Sequence, residues 1–103
     1  MRYAIVINLD YNSYPEQECL KIWALIRERM VNSGFRLEGR LFTAEMSEEE
    51  ACKVSREAMD EINKDPRFEG KSDIVNYIKD FYCYNHSDTV NLLLPPTENI
   101  KLE

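Results

Sequence analysis

The sequence predicts an α+β class protein: a two-layer sandwich with a mainly antiparallel sheet and two helices on one face. Three observations predict it. Residues 2–9 alternate as a strand, two apolar stripes near 19–30 and 51–62 recur at helical spacing, and extended segments follow each stripe. With 103 residues the chain is long enough for one core and too short for two.

The first strand runs from Arg2 to Leu9. Tyr3, Ile5, Ile7 and Leu9 share one face, the natural core face, and Arg2, Ala4, Val6, Asn8 and Asp10 share the other. Asn12 and Ser13 lead into a helix whose first turn suits Pro15, with Ser13 or Tyr14 at the cap. Cys19, Ile22, Trp23, Ile26 and Met30 form its apolar stripe, which places Trp23 and Ile26 in the main core. Gly34 is the expected left-handed stop.

Residues 35–44, FRLEGRLFTA, are extended. Gly39 leaves two possibilities: one strand with a weak centre, or two short strands turning near Glu38-Gly39. The strand count of a compact sheet favours the hairpin. Ser47 and Glu50 then form a capping box, and Ala51, Val54, Ala58 and Ile62 make the second buried stripe with Met59 at its edge. Asp65-Pro66 ends that helix, and Phe68 is placed to dock back from the connection that follows. Val75 to Tyr84 reads as a long aromatic strand, with Ser72-Asp73 able to cap a short helical turn before it. Asn85 to Asp88 is a turn, Thr89 to Leu94 a returning edge strand, and Pro95-Pro96 its stop. Residues 1–96 are thus expected to form a single domain and 97–103 a frayed tail, with Leu102-Glu103 set aside as resembling a vector-encoded junction. Strand, helix, two short strands, helix, strand is the order of a ferredoxin-like fold.

Composition narrows the function classes. The formal net charge of -6 opposes attraction to phosphate backbones and anionic membranes. No apolar run reaches the length of a membrane span and no signal-type start is visible, so the expected location is the cytoplasm. Cys19, Cys52 and Cys83 are odd in number and far apart, which favours reduced thiols over a disulfide framework. Cys83 and His86 supply two donor groups where a structural zinc usually takes four, and His86 is the only histidine, so no zinc is expected. Three glycines make no phosphate-binding loop, and Ser87 beside His86 reads as turn composition rather than as nucleophile and base.

Two constellations remain. Asp10 ends the first strand, while Asp80 and Asp88 lie on or after the last long one; neighbouring strands would let them converge on a divalent cation. The competing reading of Asp10 is an ordinary side-chain turn after a strand. Tyr77, Tyr82 and Tyr84 with Arg27, Arg29, Arg36 and Arg40 have the residue types of a single-strand nucleic-acid platform or a ligand face. Glu38, Asp80 and the acidic total dilute that pattern, and cross-strand pairing explains the tyrosines equally well.

The segments YAIVINL, GFRLEGRLF and IKDFYCYNHSD resemble virulence-associated protein D, a small ferredoxin-like group related to the CRISPR-associated ribonuclease-like dimers. The resemblance covers the chain up to about Asp88. It implies a dimer, and an aspartate at the end of the first strand serving metal-dependent RNA cleavage. The matching position is Asn8, whose amide lacks the ligand charge, with Asp10 on the same face two residues later.

The leading expectation is therefore a homodimeric interaction or regulatory domain without catalysis and without a cofactor. Self-association is the expected partnership, and a further protein partner fits the same reading. Its interface lies on the face away from the helices, formed by Ala4, Val6 and Asn8 and joined by Phe42 if the Gly39 region is continuous. The alternative is a divalent-metal-dependent endoribonuclease using Asp10, Asp80 and Asp88, with Asp10 as ligand to magnesium or manganese and RNA as substrate.

Overall fold

The computed structural model describes residues 1–87. Strand β1 is Arg2–Leu9, helix α1 Glu16–Asn32, strands β2 and β3 Arg36–Glu38 and Leu41–Glu45, helix α2 Glu48–Asn63, and strand β4 Ile78–Asn85. Two short 3-10 helices, Pro66–Phe68 and Ile74–Tyr77, lie between α2 and β4. The strands form one antiparallel sheet in the order β2-β3-β1-β4. This is the ferredoxin-like two-layer sandwich, with β1 in the middle and both helices on one face.

β1 earns its central place by being apolar on both sides. Its residues Tyr3, Ile5, Ile7 and Leu9 join the helix-side core, where Ile22, Ile26 and Met30 of α1 meet Ala51, Ala58 and Ile62 of α2. Full burial of an aliphatic side chain of this size contributes roughly 1.5–3 kcal/mol. Ile26 is fully buried, as the stripe requires, but Trp23 lies at the rim of the core, half-buried and packed on it. Met59 is buried rather than marginal, and Val54 is only partly so.

The helix boundaries follow local chemistry. α1 starts after Pro15, which itself occupies the cap position with no side-chain cap bond, so neither Ser13 nor Tyr14 caps it. The Pro15 carbonyl accepts the first bond from Cys19 N. At the other end Phe35 N returns to the Met30 carbonyl while Gly34 takes φ 107°, a left-handed turn that avoids the Cβ penalty. α2 is capped by Ser47, whose hydroxyl accepts from Glu50 N at 3.1 Å. Three glutamates in its first turn, Glu48 to Glu50, complement the positive end of the helix dipole.

The Gly39 region is a hairpin. Glu38 pairs with Leu41, and Gly39 sits at φ 64° in the turn. The last strand begins later than the sequence alone indicated. Asp73 accepts from Val75 N and winds Ile74–Tyr77 into a helical turn, so β4 opens at Ile78 rather than Val75. The apolar pair Ile74 and Tyr77 docks into the core from that turn, as Phe68 does from the turn before it. The expected edge strand at 89–94, its proline stop, the 1–96 domain boundary and the 97–103 tail all lie outside the described residues.

Candidate functional site

Alternation along β1 sends Ala4, Val6 and Asn8 to the face opposite the helices. The register fixes their neighbours. Ala4 is flanked by Thr43 and Tyr84, Val6 by Tyr82, and Asn8 by Asp80. Directly paired residues stand on the same side of a sheet, so these side chains make one continuous surface. Its floor is already covered within the single chain: Ala4 is 0% and Val6 9% exposed. Its exposed apolar area comes from the edge strand, where Tyr82 is 55% and Tyr84 36% exposed.

Phe42 does not belong to this surface. It pairs with Ile5, a helix-side residue, and is fully buried with its ring 5.5 Å from that of Trp23. The hairpin at Gly39 fixes this direction: Leu37 and Phe42 pair and face α1, while Glu38 turns outward. Phe42 is thus a core residue and not an interface residue.

One end of the surface is charged. Glu38 accepts a hydrogen bond from the Thr43 hydroxyl at 2.8 Å and lies 3.7 Å from an Arg2 guanidinium nitrogen. The Thr43 hydroxyl lowers the Glu38 carboxyl below its ordinary range; desolvation opposes this, and the nearby Arg2 and Arg36 cations add to it. Thr43 is itself fully buried, so its hydroxyl has been taken from water and given a charged partner. His86 continues the row beyond Tyr84. Its backbone N donates to the Arg2 carbonyl at 2.8 Å, and its ring meets Tyr84 edge-on at 5.9 Å. The ring is buried and its Nδ1 has no hydrogen-bond partner among the described residues.

The other end carries the carboxylates. The Asn8 side-chain amide donates to Asp80 Oδ2 at 3.1 Å. The β1–β4 pairing slips by one residue just after Asn8, so that Leu9 pairs with Ile78. Beyond this slip Asp10 N donates to the Tyr77 carbonyl, and the Asp10 carbonyl accepts from Ser13 N. Asp10 therefore starts the loop into α1. Its charge acts on Cys19 of α1, whose buried thiol is pushed up chiefly by burial and then by Glu18 and Asp10. Asp88 lies outside the described residues. Among those described, no group of three or more His, Cys, Asp or Glu side chains is arranged to hold a metal ion.

All three cysteines are free thiols. Cys83 and His86 are not paired as ligands: Cys83 packs toward α2, and its Sγ lies 3.0 Å from that of Cys52. Among the described residues no helix is long and apolar enough to cross a membrane.

The Glu38–Thr43–Arg2 cluster and the Cys52–Cys83 contact were not found from sequence. The first had a signal, since a tight turn at Gly39 places positions 38 and 43 on one face of adjacent strands. The second joins residues 31 apart through helix–sheet packing, which no local pattern records. No family model matches the chain, and no curated protein matches it.

Proposed function

We propose that this chain is a small non-catalytic interaction module that works as a homodimer, pairing its open sheet face with that of a second copy. The observation that carries this reading is the aromatic row Tyr82–Tyr84, exposed beside a floor of Ala4 and Val6 on a face that neither helix covers. Aromatic residues on an uncharged floor are the composition of interface centres. A twofold axis brings one patch against itself, so the patch must be self-complementary. The end containing Arg2, Arg36 and Glu38 supplies both signs of charge and meets that demand. The formal charge of -6 favours such a protein surface over a nucleic-acid backbone as the partner. A cytoplasmic location belongs to the same reading.

The resemblance to virulence-associated protein D carries the rival reading, cleavage of RNA with magnesium or manganese. Asn8 at the matching position carries an amide in place of a carboxylate and donates it to Asp80, which favours binding over catalysis. Sedimentation of the wild type and of Tyr82→Glu tests the dimer. A dimer in the first and a folded monomer in the second are expected. Tyr82 is the cleaner site than Val6, because a glutamate at buried Val6 would also strain the monomer. A wild type that is monomeric at high micromolar concentration overturns the proposal. Labelled RNA that is cut only with divalent metal, and not by Asp10→Ala, establishes the rival.

A further inference from the structure

Cys52 lies on α2 and Cys83 on β4, on the helix-facing side of the sheet where Cys83 pairs with Ile5. Their sulfurs are 3.0 Å apart, and both residues are partly exposed. They open onto a cleft of about 120 Å³ that Ser55, Arg56 and Phe81 also line. Cys19, by contrast, is 1% exposed beneath α1. A contact this close between two thiols from different elements, at the mouth of a solvent-connected cleft, is the arrangement that thiol–disulfide exchange requires.

We propose that Cys52 and Cys83 form a reversible dithiol/disulfide site that is oxidised by small-molecule disulfides of the glutathione class. Cys52 loses its proton and its thiolate attacks one sulfur of the small disulfide, expelling a thiolate that takes up that proton. The Cys83 thiol then deprotonates and attacks Cys52 Sγ, forming the Cys52–Cys83 bond and expelling the second small thiolate, which is protonated in turn. Two protein thiols are oxidised and one small disulfide is reduced to two thiols. The order of attack follows from the surroundings of Cys83. Cys83 sits on the sheet beneath α2, paired with buried Ile5, whereas Cys52 lies on the helix that covers it; burial accordingly pushes the Cys83 thiol up, and Cys83 is the resolving partner. The new bond ties the helix layer to the strand that bears Tyr82 and Tyr84, and it forms whether or not the chain is a dimer.

The test is intact-mass spectrometry and thiol counting of the native protein after incubation with oxidised glutathione. The wild type is expected to fall from three free thiols to one, lose the mass of two hydrogens, retain no glutathione, and yield a linked Cys52–Cys83 peptide that dithiothreitol cleaves. Cys83→Ser, which cannot resolve the intermediate, should keep one glutathione on Cys52. Cys19→Ser should form the same internal bond as the wild type. A wild type that keeps three thiols overturns the proposal, as does a stable glutathione adduct or a bond between two chains. Equal glutathione capture by Cys52→Ser and Cys83→Ser would overturn the assigned order of attack.

Discussion

Asn8 and Asp80 face each other across the β1–β4 pair, the amide of one donating to the carboxylate of the other at 3.1 Å. The pair is neutral on one side and charged on the other, and it sits where two carboxylates would repel. Asn8→Asp is therefore expected to lose the hydrogen bond and add a like-charge contact, costing about 1–2 kcal/mol at neutral pH. The repulsion raises the folded-state pKa of the two carboxyl groups above their unfolded values. The penalty is thus full above that raised pKa and fades as pH falls through it. Urea midpoints of wild type and variant should converge on acidification; a constant gap would show that charge is not the cause.

Ile26 is fully buried between α1 and the sheet, and truncation there leaves a cavity. Ile26→Ala should cost about 2–5 kcal/mol in urea unfolding. Leu20→Ala, on the same helix but 59% exposed, should stay within about 0.5 kcal/mol of wild type. Similar losses at both positions would mean that the helix presents a different face.

Arg67 ties the turn after α2 to helix α1, donating to Asp65 and, through both terminal nitrogens, to Glu28 at 3.1 and 2.8 Å. The side-chain and backbone donors of Arg67 hold the Asp65 carboxyl down at about 2, and the guanidinium lowers Glu28 as well. A depressed folded pKa contributes stability above the unfolded value of 3.8, and this is lost as pH falls toward about 2. The stability difference between wild type and Arg67→Gln should therefore shrink across that window. An Asp65 carboxyl titrating near 3.8 by NMR would contradict this.

Gly39 turns the β2–β3 hairpin at φ 64°, with nothing within 4 Å of where a Cβ would stand. The obstacle to substitution is conformational rather than steric crowding. Gly39→Ala should cost about 1–2 kcal/mol, and Gly39→Asn distinctly less, because asparagine tolerates the left-handed region. Equal costs would point to a contact rather than to backbone conformation.

Much of this architecture was legible because local rules and tertiary packing agree. Gly34 stops α1, Ser47 starts α2, and Tyr3, Ile5, Ile7 and Leu9 of β1 join the core as their spacing requires. The failures share a cause. Val75 and Tyr77 have strand-forming side chains, but the Asp73 cap and the burial of Ile74 and Tyr77 wind that segment helically. Phe42 alternates correctly along its own strand, yet its direction depends on pairing with Ile5, which the turn at Gly39 decides. The burial of Ala4 and Val6 within one chain was also hidden, since no local pattern records what the folded chain lays over a strand face. Of the candidate site, the outward face of β1 was readable, and the charged cluster around Glu38 was not.

The position of β1 has a consequence for how the chain acquires its structure. Of the four described strands, β1 comes first in the chain yet lies inside the sheet, and it finds its two partners only when residues 41–45 and then 78–85 have followed. Its longest ladder joins Tyr3 to Asn85, so most of the loop-closure entropy is spent before that ladder forms. Until β4 emerges, one whole side of an apolar strand has no backbone partner from the sheet. A fragment ending before Ile78 is therefore expected to be less soluble than one that includes Asn85, because its inner strand keeps an unpaired apolar edge.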